Sequence, residues 1–105
     1  MEEYIIDILK NRVPIKMDNT KSRNEKDFLV ATTGLVPRFV ILNRSSKEIY
    51  NLCDGNSNID NIIKNIAESH PETDTKKLAH SVIIGMRDME SANLITLINR
   101  DKHEK

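Results

Sequence analysis

The sequence predicts an α+β domain in which a three-stranded antiparallel sheet is followed by three helices. Three observations carry this. Short runs rich in β-branched and apolar residues fall at 13–17, 28–31 and 38–42, separated by polar or glycine-bearing links. The later part of the chain repeats at helical spacing instead, most clearly at Ile59, Ile62, Ile63 and Ile66. Between these regions, Pro37 to Gly55 reads as a strand, a cap, a short helix and a stop. Strand and helix meet there almost without a loop, so the strand register fixes where the helix goes.

A chain of 105 residues has room for one domain with one modest core. Its 16 basic and 16 acidic residues cancel. That balance speaks against nucleic acid as a partner, because such proteins usually carry a basic excess. The single cysteine, Cys53, cannot form an intrachain disulfide and is expected to be a small buried hydrophobe. No apolar run approaches the ~20 residues that span a bilayer. The start, MEEYIIDILK, is acidic and lacks the basic head of a signal peptide, so a cytoplasmic location is expected. The expected organisation is an N-terminal extension at 1–12, a domain at 13–98 and a charged tail at 99–105.

In chain order, Tyr4, Ile5, Ile8 and Leu9 have the spacing of a short amphipathic helix. It is too short to stand alone, so it docks on the body, docks on a partner or frays. A first strand is expected over Arg12 to Asp18, with Pro14 favouring an edge or a strand start. Asn19 to Lys26 is polar throughout and reads as a loop. Phe28 to Ala31 forms the second strand, Thr33-Gly34 a turn, and Arg38 to Leu42 the third strand. A meander of these three is expected. The first helix runs from about Ser46 to Cys53, capped from Asn43 to Ser46 and stopped by Asp54-Gly55. The second covers about Ile59 to Ser69, capped by Ser57 or Asn58 and ended before Pro71. The third covers about Thr75 to Ala92, and Asn93 to Ile98 is either its exit or a short final strand.

The third helix is the most informative. Leu78, Val82, Gly85, Met86 and Met89 form one stripe, widened by Ala79 and Ile83 on one side and Ala92 on the other. Ile84 stands alone on the opposite side. The apolar arc covers close to half the circumference. Either one flank packs on the helices and the other on the sheet, or one flank stays partly open and completes a groove beside the neighbouring strand.

Leu42-Asn43, Ile49, Leu52-Cys53-Asp54-Gly55, Ile59 and Ile62-Ile63, with Val82, Met86, Met89 and Leu94-Ile95, resemble the PqqD-like family in type and spacing. The likeness covers roughly Val13 to Ile98. Asn58 stands where a threonine is usual, and both can cap. Asn93 stands where a glycine is usual and tolerates the same left-handed conformation. The loop Asn19 to Lys26 is long for the family.

The resemblance implies a winged helix-turn-helix-like domain of the kind known as a RiPP recognition element. Such a domain binds the leader segment of a ribosomally made precursor peptide and presents it to a modifying enzyme, often a radical SAM enzyme. The leader joins the third strand and lies against the third helix. Carried onto this chain, the peptide site comprises Arg38, Phe39, Val40, Ile41 and Leu42, with Ala79, Val82, Ile83, Met86 and Arg87 across from them. Val40 and Leu42 fall on one face of the strand, and Phe39 and Ile41 on the other. Met86 and Met89 suit a pocket that adapts to varied apolar side chains. Arg87 either pairs with an acidic leader residue or is simply solvated. The exposed edge could also pair with a second copy, giving a homodimer.

No catalytic set stands out, and no cofactor or metal is expected. His70, His80 and His103 are far apart, with His80 expected on the exposed side of the third helix. The chain's three glycines form no phosphate-cradling loop. Asp88 and Glu90, two apart on a helix, do not share a face. The competing reading is a winged-helix DNA-binding regulator. It requires a basic helix face, but the third helix sets Lys76, Lys77 and Arg87 against Asp74, Asp88 and Glu90. A structural subunit without peptide affinity is a third reading.

Overall fold

The computed structural model describes residues 7–18, 20–33 and 39–99. Besides a helical stretch at 7–9, five strands and three helices lie within them: β1 (Val13–Lys16), β2 (Lys21–Asn24), β3 (Leu29–Thr32), β4 (Phe39–Leu42), α1 (Arg44–Asn51), α2 (Ile59–Ser69), α3 (Thr75–Ser91) and β5 (Ile95–Ile98). A three-stranded antiparallel sheet has the order β2-β3-β4, and a separate two-stranded antiparallel sheet joins β1 to β5. The α+β class and the order of sheet, then three helices, are those the sequence predicts.

The membership of the sheet differs. The stretch expected as a loop, 19–26, supplies β2, and the expected first strand leaves the meander to pair with β5. The reason is legible in β2 itself. Its sequence KSRN has no apolar residue, and all four residues are exposed. Nothing in it alternates, so no periodic signal exists. It is held by the backbone ladder to β3 and flanked by an Arg23 to Glu25 pair at 2.7 Å. β1 turns instead to the C-terminal strand, with Val13 opposite Ile98 and Ile15 opposite Thr96. Asn93 to Ile98 is thus a turn and a final strand. Asn93 adopts φ 66° at the helix exit, the left-handed conformation expected of it.

The carbonyls around β1 complete other elements. The first backbone N–H groups of a helix have no partner within it. At the start of α2, the Ile59 N–H donates to the Arg12 carbonyl at 2.9 Å and the Asp60 N–H to the Lys10 carbonyl at 2.9 Å. The Gly55 N–H donates to the Pro14 carbonyl at 3.0 Å. Residues 10–12 are therefore bonded to the body. Residues 7–9 are helical, and Leu9 packs against the core; the rest of the expected N-terminal helix lies outside the described residues.

The helices begin where capping side chains stand. The Asn43 Oδ1 accepts from Ser46 N–H at 2.9 Å, and the Asn58 Oδ1 accepts from Asn61 N–H at 2.8 Å. α1 starts and ends two residues earlier than expected, closing at Leu52. Gly55 therefore does not cap the helix. It takes φ 82° in the turn that follows and lets the chain pass close to β1. The core lies where the helices meet the inner face of β3 and β4. Leu29, Ala31 and Leu42 come from the sheet, Ile49 and Cys53 from the α1 region, Ile59, Ile62 and Ile66 from α2, and Val82, Ile83, Met86 and Met89 from α3.

Candidate functional site

β4 is an edge strand. It pairs with β3 on one side, with Leu29 opposite Leu42 and Ala31 opposite Val40, and no described strand pairs its other side. Its free N–H and C=O groups are a template for a further strand. The sheet's opposite edge, β2, has the same backbone property but a different character. It carries Lys21 and Arg23 and is polar along its whole length. Charged, short edge strands discourage pairing. The apolar open edge is therefore β4.

A groove runs between this edge and α3. The strand wall is Val40, Ile41 and Leu42. The helix wall is Gly85, Asp88, Met89 and Ala92, and Ser46 of α1 closes one end. The helical spacing of 85, 88, 89 and 92 puts these residues on one face beside the strand. Gly85 has a packing role too. A Cβ there would approach the Cδ1 of Ile49 to 3.3 Å, so the missing side chain lets α3 sit close to α1.

The residues expected to bind a peptide separate into classes. Val40 is half-buried and Leu42 is buried, facing the core as the alternation requires. Phe39 and Ile41 face outward and are 75% and 69% exposed. On that outer face Ile41 stands opposite Val30 and Phe39 opposite Thr32, with Arg23 and Lys21 beyond them. Phe39, Val30 and Thr32 line a shallow depression there with Lys21 and Arg23. Arg38 lies outside the described residues. On α3, Val82, Ile83 and Met86 are fully buried in the core and present no surface to the groove. Ala79 is half-buried and packs on the core, and Arg87 is exposed.

The groove includes Met89, which the sequence reading assigned to an adaptable pocket, and Ser46, Gly85, Asp88 and Ala92, which it did not. Gly85, Met89 and Ala92 already stood in the apolar arc. The signal that selects them is their position in the C-terminal half of α3, one and two turns apart, level with β4. Of the two arrangements open for the arc, the structure combines both. One flank is core, and the C-terminal flank faces the groove.

Other chemistry is sparse. Among the described residues, no three His, Cys, Asp or Glu side chains come together as a metal site. The Nε2 of His70 stands 3.1 Å from Glu48 Oε1 and ties the end of α2 to α1. His80 is not on the exposed side of its helix. It is half-buried, and its Nε2 is shielded without a partner. Cys53 is fully buried, and its thiol donates to the Ile49 carbonyl at 3.3 Å. Burial pushes that thiol up to about 12, which leaves it protonated and inert at neutral pH. No described helix is long and apolar enough to cross a membrane.

Comparison with known proteins fits this geometry. The model of a family described as coenzyme PQQ synthesis protein D (PqqD) matches residues 28–95. Among solved structures, "TbiB1 in Complex with the TbiA(beta) Leader Peptide" is similar at a TM-score of 0.70 and 15% sequence identity. The match covers 77% of this chain and 93% of that one, and at such an identity it is a likeness of fold. No curated protein matches the chain by sequence.

Proposed function

The chain belongs to the PqqD family, and on that premise we propose that it binds the leader segment of a ribosomally synthesised precursor peptide and presents it to a modifying enzyme. The leader adds as a strand to the free edge of β4 and rests against α3. The protein acts as an accessory peptide-binding component in RiPP biosynthesis, without catalysis of its own. A radical SAM enzyme is the partner class that the resemblance favours.

One observation carries the reading: the apolar edge strand β4 is open on the side that faces a groove. Strand addition satisfies the free backbone groups, and alternate side chains of the guest fill pockets that give specificity. The fold-level likeness to a structure solved with a leader peptide supports the same assignment. Peptide-site residues under this proposal are Phe39 to Leu42 on the strand and Gly85, Asp88, Met89 and Ala92 on the helix. Val82, Ile83 and Met86 act from behind, as the floor on which those residues are set.

The test is a fluorescence anisotropy titration with a labelled leader peptide from the precursor encoded beside this protein, run in parallel with a random DNA duplex. Saturable peptide binding with no response to the duplex is expected. Duplex binding that fades with salt, and no response to the peptide, would mean that the fold serves DNA.

A further inference from the structure

The groove holds one charge that no described residue accounts for. Among the described residues, Asp88 is the only ionisable one on its walls, and it is exposed. Among the described residues its carboxylate has no ion pair or hydrogen bond. The positions three and four away on α3 are Ile84, Gly85, Ser91 and Ala92, and none is basic. Nor does the helix gain from it. Asp88 stands in the last turn of α3, where the negative end of the macrodipole disfavours an anion, and that turn has no basic residue. An uncompensated carboxylate in that place is a cost to the free protein.

A guest strand changes its surroundings. Strand addition places the guest's inward-facing side chains beside Val40 and Leu42, two positions apart, toward α3. The guest removes water from Asp88. Desolvating a carboxylate is unfavourable unless the incoming group is a cation or a donor. An acidic guest residue at that position is rejected by like charge, and an apolar one leaves the carboxylate dry and unpaired.

We infer that Asp88 is a specificity-determining residue: the peptide that occupies the groove carries a lysine or arginine at one inward-facing position. Its other inward-facing position, two residues away, is apolar and covers Met89 and Ala92. This rests on the strand-addition reading above and gives that reading a sequence signature. It also reverses the charge that Arg87 alone would suggest for the guest.

The test uses full-length protein and the labelled leader peptide, with each basic residue of the peptide replaced singly by Glu. At low salt, Asp88→Lys weakens the native leader by about fivefold or more, and one Glu-substituted peptide recovers the loss, because the swapped pair restores opposite charge. Asp88→Asn gives an intermediate loss, and the difference shrinks as salt screens the pair. Thermal stability of both variants stays at or above that of the native protein, which separates a binding role from a structural one. The inference is overturned if Asp88→Lys binds every peptide as the native protein does while a proline in β4 abolishes binding. In that case strand addition stands and Asp88 is a bystander. If the native protein does not bind the leader at all, both readings fall together.

Discussion

Gly55 lies so close to Ile15 that a Cβ built on it would stand 3.1 Å from the Ile15 Cδ1, and its φ is 82°. Two penalties therefore meet at one position, a left-handed backbone and a crowded neighbour. Gly55→Ala is expected to lower unfolding free energy by about 1–3 kcal/mol. A urea melt measures it. An unchanged midpoint would mean that the turn and β1 move apart at no cost.

Neighbouring residues in an antiparallel strand point their N–H groups to opposite sides. Of Val40→Pro and Ile41→Pro, one removes a ladder bond to β3 and the other removes a donor from the free edge. The variant that keeps the native circular dichroism spectrum is expected to lose about tenfold or more in leader affinity, roughly 1.4 kcal/mol. Full affinity in both folded variants would refute strand addition.

Ile83 and Met86 are fully buried on α3. Ile83→Ala is expected to cost about 2–5 kcal/mol of stability through the cavity it leaves. Where the protein remains folded, its affinity for the leader stays within a few-fold of native, because the side chain does not reach the groove. Met89→Ala, which touches both core and groove, lowers both quantities. Melting curves and titrations on the same samples separate the two roles.

The Cys53 thiol is raised from its ordinary value of 9.0 to about 12, chiefly by burial, with Asp54 adding to this and Lys16 opposing it. Burial also raises the Tyr50 hydroxyl. A thiol that ionises more readily unfolded than folded leaves stability intact below pH 9.0 and erodes it as pH rises toward 12. The loss from Cys53 alone is about 1.4 kcal/mol per pH unit across that window. Cys53→Ala is expected to flatten the alkaline limb of a stability profile. In the native protein the thiol should resist iodoacetamide at pH 8 and react only once unfolded, as mass spectrometry of the alkylated product would report.

Most of the fold was legible in the chain because burial wrote it there. The stripe of isoleucines on α2, the caps Asn43 and Asn58, and the left-handed helix exit at Asn93 each leave a residue-level mark. β2 leaves none, since a fully exposed strand has no reason to alternate. The partner of β1 is likewise invisible locally, because pairing with β5 joins residues 79 to 85 positions apart. The groove was half legible. The broad arc of α3 announced an extra surface, and Phe39 and Ile41 announced a two-faced strand. Which turn of the helix stands beside β4 depends on packing, so Val82, Ile83 and Met86 are buried and the groove is lined by Gly85, Asp88, Met89 and Ala92.

The unequal edges of the β2-β3-β4 sheet limit how this protein can associate. Two copies that join through β4 would form a continuous six-stranded sheet, with a charged β2 strand at each end. Neither end welcomes another copy, so growth stops at the pair and no fibre follows. The same contact occupies the edge that a leader strand would need. Self-association and cargo would then compete for one seat, and rising peptide concentration would convert dimers into loaded monomers.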